Sequence, residues 1–106
     1  MTFVFAYVTA GSTDEAQRLA HSIVEERLAA CANILPGMRS VYWWEGKLGE
    51  ADETVVIFKT RAERFDALAA RVKALHSYDC PCVVALPVTA GLPAYLDWIG
   101  SESTAR

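Results

Sequence analysis

Several features that would assign this 106-residue sequence to a common class are scarce or missing. There are 3 cysteines, an odd number that cannot all pair within one chain, which argues against a secreted disulfide framework. No apolar run approaches the roughly 20 residues that a transmembrane helix needs. The first residues lack the basic segment of a signal peptide. We therefore expect no membrane association and a cytoplasmic location.

Positively charged residues are also fewer than negatively charged ones. The sequence has 10 Lys and Arg against 13 Asp and Glu, for a net charge of −3. A protein with this charge balance lacks the basic surface that binds the phosphates of nucleic acids, so we expect no nucleic-acid partner. Neither a G-x-S-x-G nor a Walker motif is present, and we expect no enzymatic activity.

What the sequence does contain is apolar patterning sufficient for one domain over residues 1–106. Two almost unbroken apolar runs, within Thr2–Thr9 and Thr54–Lys59, predict strands that are buried on both faces and hence central in a sheet. Each is followed by a helical pattern. Ser12 with Glu15, and Thr60 with Glu63, have the spacing of capping boxes that open those helices.

The remaining elements complete an alternating order. A long strand is predicted from about Ala30 to Trp44, with a bend or bulge at Pro36-Gly37, and the segment 45–53 is predicted to be the hairpin connection after it. The first helix is predicted to extend to Arg27. A fourth strand is predicted at Cys82–Pro87, and Pro93 suits the first position of a short helix.

The predicted order βαββαβ, with a short C-terminal helix, is typical of a ferredoxin-like α/β fold, an α+β sandwich with an antiparallel sheet. In that topology the first and third strands are central and the second and fourth are edges. These central positions coincide with the two most apolar strands, so pattern and topology agree.

Several blocks of residues also resemble one known family. Leu28–Ile34 (LAACANI), Ser40–Lys47 (SVYWWEGK), the Lys59-Thr60 pair and the segment from Tyr95 to Trp98 are similar to the CutA family of divalent-cation-tolerance proteins. The resemblance implies a homotrimer, a cytoplasmic location in bacteria and binding of divalent metal, copper above all. It further implies a role in metal tolerance or homeostasis.

Candidate metal ligands cluster between residues 76 and 82. His76, Cys80 and Cys82 lie there together with Asp79. Imidazole suits Cu(II) and Zn(II), and thiolates suit Cu(I) and Zn(II). The alternative is a helix-terminal histidine beside two small buried cysteines. Where the family usually has a Glu, this chain has Cys82, which replaces a hard oxygen ligand by a soft sulfur.

Two further features leave alternatives open. Cys31 at the start of a strand is either a small core residue or, by the resemblance, a metal contact. Trp43 and Trp44 face opposite sides of a strand, so both cannot lie in the core, and one is expected at a subunit interface. Four charged residues either line an inter-subunit cleft or are solvated: Glu45, Lys47, Lys59 and Arg61.

Other functions are compatible with the same fold. A trimeric regulatory module similar to the PII signalling proteins would bind a small anionic ligand at subunit clefts, and a purely structural trimer would present a surface to a partner protein. An acylphosphatase-like reaction would need Asn33 together with an arginine in a phosphate loop at the first strand, and the sequence has no such arginine. An RNA-recognition module would need a strand rich in basic and aromatic residues, which the sequence also lacks.

Overall fold

The structure of the protein, a computed structural model, describes residues 1–105 and contains four strands and three helices within that range. A short 3-10 turn, Ala62–Arg64, precedes the second helix. In chain order the elements are β1 Phe3–Ala10, α1 Thr13–Glu25, β2 Cys31–Trp44, β3 Lys47–Arg61, α2 Phe65–Leu75, β4 Val83–Val88 and α3 Pro93–Glu102.

The four strands form one antiparallel sheet in the order β2-β3-β1-β4. The predicted ferredoxin-like fold is therefore confirmed, with β1 and β3 in the central positions. Consecutive residues of a strand face opposite sides, so each central strand supplies side chains to two environments.

Helices α1 and α2 cover one face of the sheet and enclose the hydrophobic core. Phe58, Leu19 and Leu68 are 0%, 1% and 0% exposed there. The opposite face, called here the open face, carries the alternate residues, among them Phe5, Lys59 and Val84. Helix α3 packs against one end of that open face, where the Arg61 side chain donates to the carbonyl of Gly100 at 2.9 Å.

The prediction of a long connection at 45–53 is wrong. Only Glu45 and Gly46 form the turn, with φ of 50° and 77°, and β3 begins directly at Lys47. Positive φ at both central residues is the conformation of the tight hairpin turns that match strand twist, and glycine adopts it readily. The acidic residues that suggested a loop are instead paired across the hairpin, since Arg39 contacts Asp52 at 2.8 Å.

The predicted irregularity in β2 is confirmed. The register with β3 shifts between Leu35 and Met38, and Gly37 has a φ of 83°. An extra residue at such a bulge bends the strand and increases its twist. Beyond it, β2 and β3 continue as a two-stranded arm, called here the distal hairpin, residues 38–53.

The two predicted capping boxes have different outcomes. Ser12 Oγ accepts the Glu15 N–H at 3.1 Å and caps α1, as predicted, although the Glu15 side chain accepts from the N–H of Gly11 and not from that of Ser12. Thr60 caps nothing. It lies within β3 and donates its hydroxyl to the Leu28 carbonyl at 2.8 Å, while α2 begins later without a side-chain cap.

The end of α1 also differs from its prediction. The helix ends at Glu25, and Arg27 has a φ of 62°. A residue in the left-handed conformation just after a helix is a common way to stop it. The chain thereby turns back toward β2, and Leu28 enters the core with 9% exposure.

Candidate functional site

The segment from α2 to β4 holds most of the predicted metal ligands, and His76 is its anchor. The His76 side chain is fully buried directly after α2. Its Nε2 lies 2.7 Å from the Thr9 carbonyl, and its Nδ1 accepts the N–H of Tyr78 at 3.0 Å. These partners define the neutral tautomer with hydrogen on Nε2. Both ring nitrogens are thus engaged, and His76 contacts β1 rather than the last carbonyls of its own helix.

Glu15 holds the same segment from the side of α1. Its carboxylate accepts N–H groups from Ser77 at 2.8 Å and from Gly11 at 3.2 Å. Burial opposes the negative charge, but these donated hydrogen bonds outweigh it, so that the pKa of Glu15 is lowered from its usual value. The Glu15 carboxylate therefore holds the loop after α2 in place. From the sequence, Glu15 was predicted only to cap α1.

The two cysteines of this segment occupy different environments. Cys80 is exposed, whereas Cys82 is half-buried at the entrance to β4. Burial, and then the neighbouring Glu53 carboxylate, raise the pKa of the Cys82 thiol. A metal that binds Cys82 must therefore displace a proton, which makes binding dependent on pH.

Tyr78 connects this loop to the distal hairpin. Its hydroxyl donates to Glu53 Oε2 at 3.1 Å, and its ring lies against Gly11, where an added Cβ would approach the hydroxyl to 3.1 Å. Burial and the contact with Glu53 raise the pKa of Tyr78 to about 12. Neither Tyr78 nor Glu53 was predicted as a site residue, because their proximity depends on the sheet register.

Cys31 lies elsewhere. It is half-buried on the open face, opposite Lys59 in the register of β2 and β3. From the strand pairing, Cys31 is about 13 Å along the strands and about 14 Å across the sheet from Cys82. One metal ion cannot bridge that separation, so Cys31 and Cys82 do not share a site within one chain.

The predicted ligands consequently do not form one metal centre in the described chain. Within residues 1–105 no group of three or more His, Cys, Asp and Glu side chains is placed to hold a metal ion. His76 would have to release a hydrogen bond before it could coordinate. Metal binding by His76, Cys80, Cys82 or Cys31, separately or with a neighbouring subunit, stays a prediction.

The charged residues proposed for a cleft are divided between two ends of β3. Lys59 donates to the Tyr95 hydroxyl at 3.0 Å, and its ammonium lies 5.4 Å from the Phe5 ring centre. Lys47 lies about 40 Å further along the same strand, next to Glu45 at the hairpin turn. These groups can come together only if the hairpin end of one subunit reaches the α3 end of another.

The distal hairpin carries exposed aromatic side chains. Trp43 is 74% exposed and Trp44 is 60% exposed, on opposite faces. The prediction that both cannot lie in the core is confirmed, and in fact neither does. Of the helices within residues 1–105, none is long and apolar enough to cross a bilayer.

Comparisons with known proteins agree with one another. A family model described as CutA1 divalent ion tolerance protein matches residues 4–102. The chain is 50% identical over 95 residues to the divalent-cation tolerance protein CutA of Archaeoglobus fulgidus, covering 90% of this chain and 92% of that protein. It is also 50% identical over 100 residues to the chloroplastic Protein CutA 1 of Oryza sativa, covering 94% of this chain and 56% of that longer protein.

Solved structures give the same result. The A. fulgidus protein, described as a periplasmic divalent cation tolerance protein CutA, has a TM-score of 0.93 at 46% identity, with 96% and 99% of the two chains covered. CutA1 from Oryza sativa has a TM-score of 0.93 at 48% identity, with 98% and 94% covered. Because these names refer to the periplasm and the chloroplast, the cytoplasmic location of this chain stays a prediction. The matches together show that this chain belongs to the CutA1 family of divalent ion tolerance proteins.

Proposed function

We propose that this chain acts as a homotrimeric metal-binding protein, selective for copper, in the tolerance or homeostasis of divalent metal ions. The family description supports divalent-cation tolerance in general. Binding rather than catalysis is the proposed activity, and the cytoplasm is its proposed location. The trimer and the metal are each supported by a different property of the subunit.

The observation that carries the proposal is the apolar surface of the distal hairpin. Val41, Trp43 and Leu48 lie on one face of this arm and are 62%, 74% and 62% exposed. Contiguous apolar surface of this kind is typical of a protein interface. A bulky tryptophan at its centre is the residue type that most often anchors such contacts.

The shape of the subunit favours a closed assembly. Its extents are 44, 26 and 22 Å, and the hairpin accounts for the excess length. An arm that projects beyond its own core can lie on a neighbour, whose arm lies on the next subunit, until a cyclic assembly closes. The same arrangement would bring Glu45 and Lys47 of one subunit toward Lys59 and Arg61 of another.

The proposed metal sites use the thiols. Cys80 and Cys82 are soft ligands, and copper stands highest in the affinity order of divalent first-row ions. Cys31 is a separate candidate on the open face. His76 contributes only after Nδ1 releases the Tyr78 N–H, at a cost of about 1 kcal/mol.

Two measurements test these parts independently. Sedimentation equilibrium at micromolar concentration should give about three times the chain mass of 11.6 kDa, and a persistent monomer contradicts the trimer. Anaerobic calorimetry should detect copper binding that is tighter than zinc binding. The His76→Ala variant tests the imidazole, and wild-type affinity in that variant assigns the site to the thiols alone.

A second function has one specific observation in its favour. The Lys59 ammonium is half-buried between two aromatic rings and has no carboxylate partner within residues 1–105. Its hydrogen bond to Tyr95, despite burial, raises the pKa of Lys59, so the group stays cationic. A PII-like module would use such a cation for a small anionic ligand at a subunit cleft. Titration with nucleotides and carboxylate metabolites distinguishes it, since the metal proposal expects no such binding.

A further inference from the structure

We propose that Cys80 and Cys82 form a reversible intrachain disulfide, which makes the loop before β4 a redox-sensitive modification site. The inference goes beyond the proposed function and does not depend on it. The sequence places two thiols on either side of a single proline, Pro81. In the structure both cysteines are free, and neither forms a hydrogen bond within residues 1–105.

The distance between the two α-carbons suits a disulfide bond. Disulfides join residues whose Cα atoms lie about 4.4–6.8 Å apart. Two residues of fully extended chain span at most roughly 7 Å, so Cys80 and Cys82 always lie close to this range. Pro81 holds its φ at about −65°, away from the fully extended value, and thereby shortens the distance. The bridge therefore requires no large movement of the backbone.

Cys31 is not a competing partner within the chain. It lies on β2, which β3 and β1 separate from β4, the strand that Cys82 precedes. Neighbouring strands are about 4.8 Å apart, so three such spacings place Cys31 about 14 Å across the sheet. Cysteines whose Cα atoms are more than about 7 Å apart cannot be bridged without movement of the backbone. Cys80 and Cys82 are consequently the pair, and Cys31 is the thiol left over.

The main chain around the two cysteines is not held by hydrogen bonds. The N–H groups of Ser77 and Tyr78 are donated to side chains, and the pairing of β4 with β1 begins at Val83. Between these fixed points, the main chain of residues 79–82 forms no hydrogen bond within the described chain. Closure of the disulfide therefore stays local, and the sheet and α2 remain in place.

Exposure assigns the order of the chemical steps. Cys80 is exposed and Cys82 is half-buried, so a hydroperoxide reaches Cys80 first. One peroxide oxygen is transferred to the Cys80 sulfur, which becomes a sulfenic acid, and water or an alcohol is released. The Cys82 sulfur then attacks the Cys80 sulfur, and the hydroxyl group leaves with the Cys82 proton as water. Two molecules of a reducing thiol such as glutathione reverse the bridge and become a disulfide themselves.

A bridge over so short a segment should be reduced easily. Closing a short loop removes little entropy from the unfolded chain, so this disulfide adds little stability. Exposed or strained disulfides are also more readily reduced than structural ones. The Cys80–Cys82 pair therefore fits a regulatory thiol switch and not a permanent framework.

The test is treatment of the reduced full chain with hydrogen peroxide, followed by N-ethylmaleimide and measurement of the intact mass. The wild type should lose two of its 3 thiols, and glutathione should restore both. Cys31→Ser is the matched control and should form the same bridge, because Cys31 lies on β2. Cys82→Ser lacks the second thiol and should form no intrachain bridge.

Peptide mapping of the oxidised wild-type protein distinguishes the possible products. A peptide in which Cys80 is linked to Cys82 supports the proposal. Retention of all 3 thiols, oxidation of Cys80 to sulfinic acid without a bridge, or a disulfide between two chains overturns it. Because the linkage is read from the wild-type protein, the result decides the matter even if a variant fails to fold.

Discussion

The helix-covered part of the sheet and the distal hairpin share two strands, β2 and β3, but differ completely in burial. In the first, Val56 and Phe58 of β3 are fully buried beneath α1 and α2. In the second, Trp43 and Leu48 are 74% and 62% exposed. The apolar character of the side chains is similar, so the difference lies in what is available to cover them.

The chain thus has one region, the helix-covered sheet, that buries its own apolar side chains, and one, the distal hairpin, that does not. A two-stranded hairpin is marginally stable by itself in water. At its base the distal hairpin contacts Tyr7 through Met38 and Tyr78 through Glu53. Further out, the described residues show cross-strand pairs such as Arg39 with Asp52, and exposed ion pairs of this kind contribute about 0–1 kcal/mol. Its apolar face, with Trp43 and Leu48, is left exposed in the single chain.

The largest effect is expected in the covered half. Phe58→Ala should lower the free energy of unfolding by about 3–5 kcal/mol, because it leaves a cavity in a fully packed core. Urea denaturation measures the change. Gln17→Ala, on the exposed side of α1, is the control and should change stability by less than about 0.5 kcal/mol. An equal effect of the two substitutions would mean that Phe58 is not in the core.

A substitution in the distal hairpin should weaken the association of chains rather than the folding of one chain. Trp43→Ala is expected to weaken subunit association by at least about 2 kcal/mol per site, because a buried aromatic anchor is lost. Sedimentation equilibrium measures the association, while circular dichroism should show the secondary structure retained. A Trp43→Ala protein that assembles as tightly as Gln17→Ala would exclude this arm from the interface.

Smaller effects are expected at Thr60 and Ser12, which the sequence predicted to have the same role as helix caps. Thr60→Ala should cost about 1–3 kcal/mol, because the buried Leu28 carbonyl loses its donor. Ser12→Ala should cost about 1 kcal/mol through loss of a helix cap. Thr60→Ser keeps the hydroxyl and should recover most of the loss in urea denaturation. No recovery would point to the methyl group instead.

The smallest effect concerns the loop between α2 and β4. The pKa of Glu15 is lowered in the folded state, so its carboxylate stabilises the fold above the usual value of 4.5, and this contribution is lost as pH falls through the folded pKa. Glu15→Gln should cost roughly 1 kcal/mol at neutral pH. The difference from wild type should shrink below pH 4.5 when both are unfolded in urea. A constant difference across this range would show that Glu15 does not act as a carboxylate.

Most of the fold could be predicted, because its signals are local or periodic. The apolar runs of β1 and β3, the bulge at Gly37 and the proline that opens α3 all follow from short stretches of sequence. The predictions failed where the same local pattern of residues is compatible with two different structures. Thr60 has the spacing of a cap but lies in a strand, and the acids near Asp52 suggest a loop but form cross-strand pairs.

The candidate site could be predicted only in part. His76 and Cys82 were identified by residue type, yet the partner of His76 is Thr9, which lies 67 residues away in the chain. The contact of Glu53 with Tyr78, 25 residues away in the chain, was likewise not predicted, because it depends on how β3 lies beside the loop that follows α2. No spacing rule connects residues that meet across three different elements.

The sequence by itself determined the ferredoxin-like topology, the two central strands and the presence of soft metal ligands, because hydrophobic periodicity and residue chemistry are properties of the chain. Only the tertiary structure decided which of those ligands keep a free lone pair and which apolar side chains remain uncovered. Both ring nitrogens of His76 are hydrogen-bonded, whereas the Cys82 thiol forms no disulfide or hydrogen bond within residues 1–105. The physical reason is that hydrogen bonding and burial depend on contacts between distant elements, and these exist only once the sheet has formed.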